Sequence, residues 1–155
     1  MKILKKLVAA LKRRKLTIAL AESCSGGYAS YLLTKVPGSS KIFKGSLVVY
    51  SLEIKNKFFN IPKGLLEKTQ GVSEDIAITL AKKVRKKINA DIGGSIVGFA
   101  GPETKKGVRI GTIYIGFADR NTSLVKKYLV KGGRDIVRKE AAKLLIDLIY
   151  KRINL

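Results

Sequence analysis

Apolar residues recur along this chain in two periods, and the switches between them lay out its elements. Ile3, Leu4, Leu7, Val8 and Leu11 fall at helical spacing with lysine and arginine between them, which predicts a helix over about residues 2–14. A β-prone run over about 16–21 follows, then a helical pattern over about 25–35 that ends before Val36-Pro37-Gly38-Ser39-Ser40. Gly45-Ser46-Leu47-Val48-Val49-Tyr50 reads as a second strand. A short helix then runs from Ser51 to about Phe59, and Asn60-Ile61-Pro62-Lys63-Gly64 breaks it. Ser73, followed by Glu74 and Asp75, caps a helix whose apolar face is Ile76, Ala77, Leu80, Ala81, Val84 and Ile88. A third strand spans about Gly94 to Phe99, and strands at about 108–118 and 123–130 join through Asp119-Arg120-Asn121 as an antiparallel hairpin. The last helix covers about 134–152.

This order predicts an α/β fold: a three-layer α/β/α sandwich around a mixed, mostly parallel five-stranded sheet, with one domain spanning residues 1–155. If the first three strands are parallel, Glu22-Ser23-Cys24-Ser25, Tyr50-Ser51 with Lys55, and Ala100-Gly101-Pro102 all lie beyond their carboxyl ends. Open α/β sheets bind ligands at that edge.

Composition narrows the chemistry. With 46% apolar residues in 155, the chain suits one domain with a substantial core. No apolar run reaches the length of a membrane span, and the amphipathic start runs straight into the first strand, so it reads as a packed helix and the protein as cytoplasmic. The single cysteine, Cys24, allows no internal disulfide and no structural zinc site. The absence of histidine removes Ser-His-Asp and Cys-His catalysis, so any general base is a carboxylate, tyrosine or lysine. No metal and no cofactor is expected. The net charge of +21 is read as a solvated, lysine-biased surface, with nucleic acid as a non-specific partner at most.

A hydroxyl nucleophile without histidine can be activated by a neutral lysine. Lys55, one turn beyond a buried-looking strand, is the best placed, and Tyr50 is expected to relay a proton or orient it. A nucleophile on the turn after strand 1 has the backbone N–H groups of Ser25, Gly26 and Gly27 nearby for an oxyanion. Cys24 is a rival nucleophile that reads better as a small buried residue. The lysine pKa is expected to fall both through burial and through the like charges of the +21 surface.

Ala21-Glu22-Ser23-Cys24-Ser25-Gly26-Gly27, Val36-Pro37-Gly38-Ser39-Ser40 and Val49-Tyr50-Ser51-Leu52-Glu53-Ile54-Lys55 closely resemble the CinA C-terminal domain family. The resemblance continues in order through Gly71-Val72-Ser73-Glu74, Gly98-Phe99-Ala100-Gly101-Pro102, Gly111-Thr112-Ile113-Tyr114-Ile115 and Gly133-Arg134-Asp135-Ile136-Val137-Arg138. It implies a nicotinamide-nucleotide amidase of pyridine-nucleotide salvage, often a homodimer, with Ser23 as nucleophile, Lys55 as base and Tyr50 as its partner. The substrate is expected to be a small-molecule nucleotide held by Ser25, Gly26, Gly27, Gly98, Ala100 and Gly101, and two arginines at i and i+4 on one helix face beside Gly132-Gly133 suit its phosphate, Arg138 first and Arg134 the weaker candidate. The nucleotide-binding domain that precedes this module in longer members is not in the sequence. Val97 stands where the family usually has a threonine, expected to face the ligand; Leu52 replaces a usual asparagine; and the loop after Pro102 is short. The competing readings are a nucleotide-binding module of the same fold that has lost catalysis, and a basic nucleic-acid-binding protein.

Overall fold

The computed structural model describes residues 1–155. Six helices and five strands follow in the order α1 (Lys2–Arg14), β1 (Ile18–Glu22), α2 (Tyr28–Thr34), β2 (Phe43–Val48), α3 (Leu52–Phe59), α4 (Lys63–Thr69), α5 (Glu74–Ile88), β3 (Ile92–Gly98), β4 (Thr112–Ala118), β5 (Ser123–Leu129) and α6 (Arg134–Ile153). The sheet order is β2-β1-β3-β4-β5. β1 pairs in parallel with β2 and β3, while β4 is antiparallel to both β3 and β5, so four strands share one direction. No helix is long and apolar enough to cross a membrane.

Alternation along β1 explains the layers. Ile18 and Leu20 join the larger core, with Leu7 and Leu11 of α1, Leu33 of α2 and Leu145 and Ile149 of α6. Ala19 and Ala21 face the other way, into a core with Ile76, Leu80 and Val84 of α5 and Phe59 of α3. Small residues on that side let α5 lie close to the sheet, and Ser95 Oγ spans the gap to the carbonyl of Ala77 at 2.5 Å. Val97 is fully buried in the same core. The expectation that it faces a ligand is therefore corrected: β3 alternation turns it under the sheet.

Several boundaries differ from the sequence reading, among them β2, which spans Phe43–Val48 rather than 45–50 and leaves Val49 and Tyr50 beyond its end. Helix α2 begins at Tyr28 rather than near residue 25, because Gly26 and Gly27 take left-handed conformations. Strand β4 begins at Thr112 rather than 108, since the chain turns back at Gly111, whose N–H donates to the carbonyl of Phe99. The supposed break after Phe59 contains α4: Pro62 occupies its N-cap, where a missing N–H costs nothing, and buried Leu66 holds it against α3.

Candidate active site

The carboxyl ends of β1, β2 and β3 open into a cleft of about 530 Å³. Ser23, Tyr50 and Lys55 line it together with Gly98, Ala100 and Gly101. The three turns singled out in the sequence thus meet at one edge.

Lys55 arrives there on the first turn of α3. Ser51 caps that helix by accepting from the N–H of Ile54 at 3.1 Å, and Glu53 complements the helix dipole. The lysine is only 2% exposed. Its stem lies against Gly71, where a Cβ would approach Cδ and Cε to 3.4 Å and Leu52 to 2.8 Å. Lys55 Nζ donates to Ser23 Oγ at 3.0 Å and to the carbonyl of Tyr50 at 3.2 Å. No carboxylate forms an ion pair with it. Burial disfavours the ammonium and pulls its pKa down to about 8, against a smaller opposing effect of Cys24. The surface cations expected to help have no part in this shift.

Ser23 sits on a turn fixed from below. Its N–H donates to Ile96 of β3, and the N–H of Val49 donates to the carbonyl of Glu22. Beneath it, Glu22 is fully buried, with no basic partner. Its Oε2 accepts from Ser25 Oγ (2.7 Å), Gly27 N–H (3.2 Å) and Ala29 N–H (3.0 Å), and its Oε1 from Ser30 N–H (2.8 Å) and Ser30 Oγ (2.6 Å). The carboxylate replaces water for the orphan donors at the start of α2, and the helix dipole stabilises its charge. Glu22 received no role of its own from the sequence. The signal was there: an acid closing an apolar strand, with Ser25 and Gly27 on the turn that follows and Ser30 at the start of the next helix.

This arrangement revises the oxyanion donors. Gly27 N–H is taken by Glu22 and Gly26 N–H by the carbonyl of Ser23. Of the three expected donors, only the Ser25 N–H has no acceptor within the chain; the Cys24 N–H, too, meets no carbonyl. Ser25 is fully buried, backbone included, with its hydroxyl on Glu22; Cys24, not Ser25, lines the cleft. Cys24 packs into the larger core, and burial pushes its thiol up to about 11, against the lowering effect of Lys55. A thiol so protonated is a poor nucleophile.

The two arginines and Tyr50 also differ from expectation. Arg134 lines the cleft, donating to the carbonyl of Gly101 and, at 2.8 Å, to the Tyr50 hydroxyl. Arg138 lies behind the Ser23 turn, outside the cleft lining, where Nε donates to the carbonyl of Cys24 at 2.9 Å and Nη2 to that of Ser25 at 3.4 Å. Gly26 belongs to this contact: a Cβ there would lie 2.9 Å from Arg138 Nη2, and its φ of +59° disfavours other residues. The Tyr50 side chain is 58% exposed, so it is the backbone carbonyl, not the phenol, that orients Lys55.

Comparison with known proteins agrees with the motifs. The model of the CinA C-terminal domain matches residues 1–153. A CinA-like protein of Dictyoglomus thermophilum is 43% identical over 129 residues, covering 83% of this chain and 31% of its own length. Another, from Cytophaga hutchinsonii, is 38% identical over 145 residues, covering 93% and 35%. The chain thus spans about a third of the length of these relatives. A solved competence or damage-inducible protein from Enterobacter asburiae is 28% identical, superposes with a TM-score of 0.93, and the match covers 98% of this chain and 96% of that one. A CinA superfamily protein from Enterobacter cloacae, 26% identical, gives 0.92 over 97% and 90%. The motifs at the sheet edge, the order of the strands and these matches along almost the entire chain lead to one assignment: the chain belongs to the CinA C-terminal domain family.

Proposed function

We propose that the cleft hydrolyses the carboxamide of nicotinamide mononucleotide to nicotinate mononucleotide and ammonia by a serine–lysine mechanism. The observation that carries this reading is the buried 3.0 Å contact between Lys55 Nζ and Ser23 Oγ in a chain with no histidine. Neutral Lys55 accepts the Ser23 proton as Oγ attacks the carboxamide carbon, and the carbonyl electron pair moves onto oxygen. The Cys24 N–H, which meets no carbonyl within the chain, receives the oxyanion. As the intermediate collapses, the C–N bond breaks and the Lys55 ammonium protonates the departing nitrogen, which leaves as ammonia. Water, deprotonated by the same amine, then attacks the acyl-enzyme; the C–O bond to Ser23 breaks and the proton returns to Oγ.

The choice of this amide rests on the family resemblance, and the cleft chemistry supports it. Arg134 and Lys105 line the cleft with only Glu103 opposing them, a balance suited to a phosphate. Arg134 replaces Arg138 as the phosphate ligand in this reading, and Tyr50 contributes by holding Arg134 in place.

Ammonia release from nicotinamide mononucleotide tests the proposal. Ser23→Ala is expected to fold normally and lose several orders of magnitude in kcat, whereas Cys24→Ala stays active. Calorimetric binding of the mononucleotide without ammonia release by the native protein would favour the non-catalytic binding module instead.

A further inference from the structure

A second cavity, of about 430 Å³, lies at the edge of the sheet opposite the cleft, where β1 and β3 begin and β4 ends. Arg14, Arg85, Arg120 and Arg152 line it. They come from four separate places: the last residue of α1, the last turns of α5 and α6, and the turn between β4 and β5. Since α1 and α6 pack on one face of the sheet and α5 on the other, the fold gathers cations from both layers into one concave place. We propose that this cavity is a second phosphate-binding site for small molecules, separate from the cleft and independent of the amidase reading.

The four charges are not spent within the protein. Two carboxylates share the cavity lining, and both already accept from local donors. Asp91 Oδ2 accepts from the N–H and the hydroxyl of Thr17, each at 2.8 Å. Asp119 Oδ1 accepts from the N–H groups of Asn121 (2.8 Å) and Thr122 (2.7 Å) and from Thr122 Oγ1 at 3.2 Å. None of the four arginines forms an ion pair, with these carboxylates or with that of exposed Leu155. Only Arg85 makes a hydrogen bond within the chain, a long one at 3.4 Å to the carbonyl of Ala90. Arg152, half-buried, is held by packing instead: its guanidinium lies over the Phe117 ring, 5.7 Å from the centroid. Its Nε is the one buried side-chain polar atom of the chain without a partner. A buried charged donor with no acceptor is costly, and an anion in the cavity offsets that cost.

Cations in the last turn of a helix offset its dipole, and three of these arginines do so. That role does not account for Arg120, which stands in a hairpin turn, nor for the convergence of the other three on one cavity. The overall charge does not account for it either. Four of the chain's eight arginines line this cavity, and none of its 24 lysines does. Arginine is the cation whose planar fork matches phosphate oxygens two at a time, and a phosphate monoester brings three such oxygens and nearly two negative charges. Phe117 and Ile153 on the same lining offer apolar surface to the rest of a ligand, and the cavity has the size of a small-molecule site.

The probes are adenosine monophosphate, inorganic phosphate and adenosine, followed by calorimetry and by amide NMR at fixed salt. The monophosphate is expected to move the resonances of Asp91, Phe117 and Arg120, and to do so equally in Arg134→Ala, whose change lies in the cleft. Arg152→Met and the exposed Arg120→Met, both with native Tm, should each weaken this binding about tenfold. Lys41→Met removes the same charge from an exposed position elsewhere and should leave it within about twofold. Adenosine should not bind at these resonances. Tighter binding of the monophosphate than of inorganic phosphate assigns the site to a phosphate ester, and equal affinity assigns it to the free ion; either result supports a phosphate site. Shifts confined to cleft residues such as Cys24 and Lys55 would overturn the inference, as would equal weakening by Lys41→Met and Arg152→Met. A single-stranded oligonucleotide binding at these resonances far more tightly than the monophosphate would also overturn it, in favour of a nucleic-acid surface. No readout involves ammonia release, so failure of the amidase reading and failure of this inference are separately visible.

Discussion

The two walls of the cleft are built differently. The turn after β1 is held at every level: strand hydrogen bonds to β3 and β2 at Ser23 and Glu22, five donors on the Glu22 carboxylate, and Arg138 behind. The opposite wall, from Gly101 to Lys106, is largely exposed, tied by Arg134 on the carbonyl of Gly101, Lys105 on that of Lys68 and the turn bonds between Thr104, Lys105 and Val108. In the proposed reaction, attack on a carboxamide gains from groups that need no reorganisation, and that need falls on the Ser23 turn. The short loop after Pro102 lies on that second wall.

Disturbing the rigid wall should therefore cost stability and kcat together, and disturbing the open wall should move KM. The largest effect is expected at Glu22. Glu22→Gln sets an amide NH₂ against N–H donors in a dry site and should destabilise the fold by about 3 kcal/mol, a drop in Tm on the order of 10 °C. A melting curve within a degree or so of native would show that the turn does not depend on the carboxylate. A smaller effect is expected at Arg134. Arg134→Ala should raise KM for the mononucleotide about tenfold, with a much weaker effect on the riboside and an unaltered Tm. Equal changes on both substrates would remove Arg134 from phosphate recognition and weaken the contrast between the walls.

The legible parts of the fold were those with strong periodic patterns. The face of α5 and the cap at Ser73 appear where the sequence puts them, because a long apolar stripe can be buried in only one way. The meeting of three turns at one sheet edge followed from parallel strand order. Helix α4 was not legible, since Pro62 and Gly64 are breakers by local preference and only the burial of Leu66 outweighs them. At the site, the approach of Lys55 to the turn after β1 was legible from chemistry, since removing histidine leaves few bases, while Ser23 as its partner came only from the family resemblance. The different places of Arg134, on the cleft wall, and Arg138, behind the Ser23 turn, were not legible. The two are one helical turn apart, and only the three-dimensional path of the Ser23 turn decides which lies behind it and which lines the cleft. The pKa of Lys55 illustrates the same limit: a charge total was visible, but the shift is set by burial, with Gly71 against the stem.

The central claim is that Lys55 acts as a neutral base, and the pH dependence of kcat/KM addresses it most directly. That profile reports the free enzyme. Because the active form is the deprotonated amine, the rate should rise tenfold per pH unit at low pH and level off above a midpoint near 8, where burial places the lysine. Since the shift comes from burial rather than from surface charge, added salt should leave the midpoint in place. A profile flat from about pH 6 to about pH 10 would mean that no lysine ionisation governs the reaction, and the serine–lysine mechanism would be wrong.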